Sequence, residues 1–268
     1  MAVIALLPHP ARDKATALAD DAARWLAERG HEVRRPGDSM DGIDLAVSLG
    51  GDGTMLYAVQ LVCGHGVPVL GVNVGNLGYL TTVEPGHLLD ALERFLADDY
   101  SVEDRMMLSV RVRREGAEIV AATALNECVL EKTTSGHTVH LAISINERPF
   151  MTAAADGMIV ATPTGSTAYN FSARGPIVSP LHRAIVLTPV SPHMLFDRAL
   201  VLDPNEAVEL EVLDDRDAII VVDGRNLGTL EPGDVVQVTE AKHDAHLVTF
   251  DGRDFHQILK AKFKLADR

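Results

Sequence analysis

Residues 45–63 read LAVSLGGDGTMLYAVQLVC: an apolar stretch from Leu45 to Leu49, a turn Gly50-Gly51-Asp52-Gly53-Thr54, and a helix-like run from Met55 to Cys63. A buried strand that feeds a helix through glycines is the repeating unit of an open α/β sheet, and such sheets gather ligands where strand passes into helix. Working outward, Ala2 to Leu7 forms a second buried strand. It precedes a helix from Arg12 to Arg29, with Leu18, Ala22, Trp25 and Leu26 on one face and Gly30 as its stop. Val67 to Val72 repeats the strand, and Pro85 opens a helix carrying Leu88, Leu89, Leu92, Phe95 and Leu96. This alternation predicts a Rossmann-like α/β domain with a parallel sheet over residues 1–102.

From Met106 the period changes. Met107 to Arg113 alternates, Glu115 to Ala117 turns, and Ile119 to Val129 returns as one strand, which reads as a hairpin. Short strands follow at Val139 to Ile145, Phe150 to Ala154, Met158 to Ala161, Ala184 to Leu187, Ala207 to Leu213, Ala218 to Val222 and Val235 to Thr239. An all-β sandwich over residues 103–248 is the expectation. The tail, 249–268, alternates Leu259, Ala261, Phe263 and Leu265 with Lys260, Lys262 and Lys264, a period of two that reads as an edge strand guarded by lysines. Phosphate binding is the other use of those lysines.

The 268 residues are 47% apolar and 23% charged, which excludes a disordered chain and leaves material for two cores. A net charge of −14 leaves no broad basic face for a nucleic-acid backbone or an anionic membrane, so any phosphate must be held locally. Two cysteines, Cys63 and Cys128, without a CxxC support neither a disulfide scaffold nor a zinc framework and fit a reducing cytoplasm. The opening MAVIALLPHP reads as a strand rather than a signal, and no apolar stretch approaches the roughly 18 residues that cross a bilayer.

Three segments carry chemistry. In the first, Gly50, Gly51 and Gly53 remove side chains so that phosphate can meet backbone N–H groups at a helix start, with Thr54 closing the loop. Asp52 would repel phosphate unless a metal or a hydroxyl lies between them; general base, metal partner and helix cap all stay open. The second, Gly71 to Leu80 with Asn73, Gly75, Asn76 and Gly78, should lie beside the first and complete a cleft. The third, Asp156 to Asn170, gathers hydroxyls, an acid and Tyr169 around Pro163 and Gly165, suited to a sugar and a stacked base, or alternatively to caps and packing. Walker GxxxxGK[ST], HExxH and GxSxG sequences do not occur. The pairs His137/His140 and His243/His246 would share a face only in a helix, and their contexts read as strand or turn.

Gly50 to Thr54, Asn126-Glu127, Asp156-Gly157, Thr162 to Tyr169 with Asn170 and Ser172, and Gly175-Pro176 together resemble the NAD kinase family over most of the chain. The resemblance implies an α/β domain, a β-sandwich NAD-binding domain, and final residues that return to the first domain. It implies transfer of the γ-phosphate of ATP, or of polyphosphate, to the adenosine 2′-hydroxyl of NAD, with Asp52 as general base and organiser of Mg²⁺ or Mn²⁺. Gly53 then leaves room for the ribose, Asn126 and Glu127 hold the adenosine portion, and Asp156 meets the other ribose and amide region. Thr167, Ala168, Tyr169, Asn170 and Ser172 form the adenine and ribose shell, and His137, Asp223 and Arg225 are further contacts. A homodimer or homotetramer is the family habit. Two departures stand out: Met55-Leu56-Tyr57 occupies the region where an arginine often follows the glycine loop, and Ala154 stands where many members carry a basic residue near Asp156. The rival readings are a lipid kinase with the same glycine loop, which would have no use for Thr162 to Tyr169, and a non-catalytic dinucleotide sensor, which would have lost Asp52.

Overall fold

The computed structural model describes residues 1–75, 78–134, 137–213, 216–250 and 254–265. The chain divides into two compact units, 1–104 with 243–268, and 105–242.

The first unit is the α/β one. Its six-stranded sheet runs Glu32–Arg34, Val3–Pro8, Leu45–Gly50, Val69–Asn73, Ala245–Thr249, Ser101–Arg105. The first four strands pair in parallel, and Ala245–Thr249 joins Val69–Asn73 in parallel through Leu247 and Val69. All six residues of Leu45–Gly50 are buried, as expected of a central parallel strand covered on both faces. Helix Asp13–Glu28 buries Ala15, Ala19, Ala22 and Leu26, small residues that let it approach the sheet, while Leu18 and Trp25 pack at the margin of the core. Helix Leu88–Leu96 buries Leu88, Ala91, Leu92 and Phe95 at helical spacing.

The second unit is the sandwich. One sheet runs Arg148–Ala155, Val139–Ile145, Val208–Val212, Val235–Glu240, Leu108–Arg114, Ala117–Ala124; the other runs Leu200–Leu202, Ile185–Val190, Gly157–Ala161, Glu127–Lys132, Ala218–Val222, Arg225–Leu230. Every pairing within these two sheets is antiparallel. Inward residues of both, among them Val110, Leu141, Leu210 and Val238 against Leu130, Val160, Leu187 and Ile220, form one apolar core.

Three sequence readings are corrected here. Ile119 to Val129 is not one strand: it breaks at Leu125 and Asn126, and its halves join different sheets. The cause is the Asp223 carboxylate, which accepts the N–H groups of Leu125, Asn126 and Glu127 at 2.8, 2.8 and 3.2 Å and withdraws them from any ladder. The tail is a helix, Phe255–Phe263, rather than a strand; the Asp254 side chain accepts the His256 N–H at its start and only Ile258 is buried along it. Residues Ala245–Thr249, which the sandwich reading reached into, belong to the first sheet. Among the described residues no helix is long and apolar enough to cross a membrane.

Candidate functional site

In the first unit the strand Leu45–Gly50 delivers the chain into Gly51, the residue before helix Asp52–Val62. The second glycine segment comes alongside, tied by the Val74 N–H on the Gly50 carbonyl at 2.7 Å. Asp52 reaches across to it: one carboxylate oxygen accepts the Tyr79 N–H at 2.9 Å and the other the Leu80 N–H at 3.0 Å. The two glycine segments therefore meet through one carboxylate, and Asp52 acts outside its own helix. Gly78 makes this possible, because a Cβ there would collide with the Asp52 carboxylate. Thr54 is 7% exposed and its hydroxyl has no hydrogen-bond partner. A cavity of about 620 Å³ opens here, lined by His9, Arg12, Gly51, Asp52, Gly53, Thr54, Tyr57 and Gly78. The Lys262 ammonium lies 3.7 Å from the centre of the Tyr79 ring. Burial holds the Tyr79 hydroxyl above its ordinary pKa, with the Asp52 charge adding to it; burial lowers Lys262, and Asp52 opposes that shift. Asn76 lies outside the described residues.

In the second unit the broken strand, the Asp223 turn and the Thr162 to Tyr169 segment build a polar cradle. The Thr162 hydroxyl donates to the Leu125 carbonyl at 2.5 Å and accepts the Gly165 N–H at 3.0 Å, while the Thr162 N–H donates to the Asn126 carbonyl at 2.8 Å. Gly165 presses on that same Asn126 carbonyl, leaving no space for a Cβ. Glu127 is buried, with one carboxyl oxygen lacking a partner. Burial, and then the charge of Asp223, push its pKa up to about 8 against a hydrogen bond from Tyr169. Asp223 is itself raised by burial, opposed by its three N–H donors and by Arg225, which is exposed. The Tyr169 hydroxyl bonds Glu131 and is raised by burial first, then by Glu131, Asp156 and Glu127.

Asp156 pairs with the Lys132 ammonium at 2.5 Å. Lys132 reaches Asp156 from the neighbouring strand, where Gly157 lies opposite Glu131. Thr167 donates its hydroxyl to the Thr164 carbonyl at 3.3 Å, Ala168 is half-buried, and exposed Ser172 joins Tyr169 and Arg174 on a cavity of about 510 Å³. Asn170 is fully buried: its amide donates to the Ser166 and Pro176 carbonyls at 3.0 and 3.1 Å and accepts the Thr188 hydroxyl at 2.6 Å. It braces the turn from inside. His137 stands exposed after Glu127–Lys132, its N–H on the Thr134 carbonyl at 3.4 Å. Of the histidine pairs, His246 sits on a strand bonded to Asp104 at 2.6 Å, and no metal-holding cluster occurs among the described residues. Sequence reading passed over Arg12, Glu131 and Lys132, and took Lys262 only as one of three tail lysines that guard an edge or bind phosphate; their places depend on which strands and helices become neighbours.

The Glu127 environment predicts a measurable linkage. An acid whose folded pKa is raised from about 4.5 to about 8 favours the fold when protonated, so stability declines as pH rises through that window. Glu127→Gln, neutral throughout, should gain on the order of 1–3 kcal/mol over the native protein at pH 8 and almost nothing at pH 5. Urea unfolding at the two pH values measures this; equal differences at both would show that Glu127 ionises freely in the fold.

The chain matches the family model for the ATP-NAD kinase N-terminal domain over residues 36–100 and that for the ATP-NAD kinase C-terminal domain over residues 125–250. The NAD kinase of Syntrophotalea carbinolica is 38% identical, over 97% of this chain and 96% of that protein. That of Citrifermentans bemidjiense is 37% identical over the whole of both. Among solved structures, yeast NADH kinase complexed with NADH superposes with a TM-score of 0.87 at 24% identity, covering 100% of this chain and 89% of that one. An NAD kinase from Archaeoglobus fulgidus in complex with ATP gives 0.76 at 24% identity, covering 99% of each; these two likenesses bear on the fold. The chain belongs to the NAD kinase family. It is an enzyme, and the reaction it catalyses is phosphorylation of NAD.

Proposed function

We propose that this enzyme transfers the terminal phosphoryl group of ATP to the adenosine 2′-hydroxyl of NAD, with Asp52 as general base. The observation that carries the reading is the Asp52 carboxylate, fixed by the Tyr79 and Leu80 N–H groups at the edge of the cavity that Gly51 and Gly53 line. A carboxylate held by two donors keeps lone pairs for a third, and a substrate hydroxyl supplies it. As that hydroxyl oxygen bonds to phosphorus, its proton passes to Asp52, the bond to the bridging oxygen breaks, and ADP leaves. Support for ATP as donor comes from the Archaeoglobus fulgidus relative, whose structure contains it.

The Asp52 carboxylate on this cavity suits a hard divalent cation held chiefly by the donor's phosphates. Mg²⁺ or Mn²⁺ bound there would neutralise phosphate charge, which a chain of net charge −14 does little to offset elsewhere. Asn126, Glu127, Asp156, Thr167, Ala168, Tyr169, Ser172 and Arg225 are the residues that take NAD in this reading. Asp223 shapes the Asn126-Glu127 turn from beneath. Two cysteines that form no disulfide among the described residues fit the cytoplasm, and the family habit supports a homo-oligomer.

The test is NADP formation from NAD with ATP and Mg²⁺, repeated with polyphosphate as donor and with NADH as acceptor. ATP and NAD together should give turnover. Protein that binds NAD yet turns over with no pairing would sink the assignment.

A further inference from the structure

The donor's phosphates need cations, and the cations near the glycine loop come from opposite ends of the chain. Arg12 lines the cavity with Gly51, Gly53 and Thr54, its guanidinium held by the Val74 carbonyl. Lys262 comes from the last helix, Phe255–Phe263, which Asp254 caps and Ile258 anchors. Its ammonium rests 3.7 Å from the centre of the Tyr79 ring, and Tyr79 is the residue whose N–H holds Asp52. The partly buried ammonium lies within electrostatic reach of the Asp52 carboxylate.

A second feature points to an anion. Thr54 lines the same cavity, and its hydroxyl, buried against Gly50, lacks a hydrogen-bond partner among the described residues. A buried hydroxyl left unpaired is costly, and a phosphate oxygen would accept its proton. With the N–H groups of the glycine loop at the start of the 11-residue helix Asp52–Val62, the cavity offers donors and lacks only a mobile positive charge. An ammonium resting on a ring at a partly exposed site is weakly held, so it can exchange the ring for a phosphate oxygen.

We infer that Lys262 binds the phosphoryl donor, its ammonium moving from the Tyr79 ring onto the phosphate oxygens beside Asp52. This rests on the reading of the glycine loop as the donor site. Lys262 keeps its protons throughout; its part is to neutralise charge and position the donor, while Asp52 takes the proton of the attacking hydroxyl.

The test compares Lys262→Met, which keeps the aliphatic stem on Tyr79, with Lys262→Arg, which keeps the charge. Lys262→Met should raise the KM for ATP about 10- to 100-fold, the effect of losing one charge-assisted hydrogen bond, while the KM for NAD moves less than about twofold. Lys262→Arg should recover most of the loss. Calorimetric titration with inorganic triphosphate and Mg²⁺, which needs no turnover, should show binding weakened by a similar factor in Lys262→Met alone. An unchanged ATP KM with unchanged triphosphate binding overturns the inference. So does an equal rise in both KM values with a lowered melting temperature, which marks Lys262 as packing only. Asp52→Asn separates the two levels: if it is inactive while Lys262→Met behaves as native, only the Lys262 role falls; if it turns over normally, the reading of the loop falls with it.

Discussion

Asp52→Asn should lower kcat for NADP formation by about 10²- to 10⁴-fold, the range a positioned general base contributes, with the KM for NAD nearly unchanged. The amide is isosteric but cannot take a proton at neutral pH. The structure adds a second expectation. Both carboxylate oxygens accept backbone N–H groups, from Tyr79 and from Leu80, so the amide nitrogen of an asparagine must face one of those donors. That leaves one N–H unsatisfied, at a cost of about 1–3 kcal/mol, and should lower the melting temperature by several degrees. Steady-state kinetics and a thermal melt on the same preparation read both effects. A native rate removes Asp52 from the chemistry, and a native melt removes the two hydrogen bonds from the stability of the loop.

Gly78→Ala should cost about 10²-fold in kcat while leaving NAD binding close to native, because a misplacement of about 1 Å at a reacting group is worth that much. The added methyl would occupy the space of the Asp52 carboxylate, and the nearby Thr81 hydroxyl blocks the adjoining direction. The carboxylate must rotate away from the Tyr79 and Leu80 N–H groups or the second glycine segment must retreat. Either movement uncouples the base from its support without touching NAD-contacting candidates such as Asn126 or Tyr169. NAD affinity by calorimetry beside kcat makes the distinction, and an unchanged kcat would mean that the geometry around Asp52 tolerates the shift.

The α/β half was legible because its signals are local. Leu45–Gly50 is apolar but for Ser48 and stops at glycines, and helix Leu88–Leu96 keeps strict apolar spacing. The sandwich was legible strand by strand except where a distant side chain intervened. Nothing within Ile119 to Val129 marks a break, because the cause, Asp223, lies about a hundred residues away in sequence. The strand Arg225–Leu230 went unread, although Asp223-Gly224 after the apolar run Ala218–Val222 is a strong hairpin signal, and both residues adopt positive φ, 47° and 76°. In the tail, alternation of lysine with apolar residues over seven positions fits a strand, but Asp254, whose carboxylate accepts the His256 N–H, starts a helix instead. The glycine loop and the Thr162 to Tyr169 turn announced the site. The charges Lys132 and Glu131 did not, since a lone charge carries no mark of the partner it will meet, and Lys262 is legible only as one of three tail lysines, without the ring it rests on.

The place of Ala245–Thr249 inside the first sheet, between Val69–Asn73 and Ser101–Arg105, has a consequence for the order of biosynthesis. A ribosome exposes all of residues 105–242 before it exposes that strand, so the sandwich, although encoded second, can finish folding first. Meanwhile the emerging phosphate-loop half carries an unfilled gap beside Val69–Asn73, an open edge of the kind that invites wrong pairing. Only a stretch encoded after the sandwich closes it, and the same stretch delivers Lys262 to Tyr79. The α/β unit therefore stays without this inner strand until the sandwich has been made.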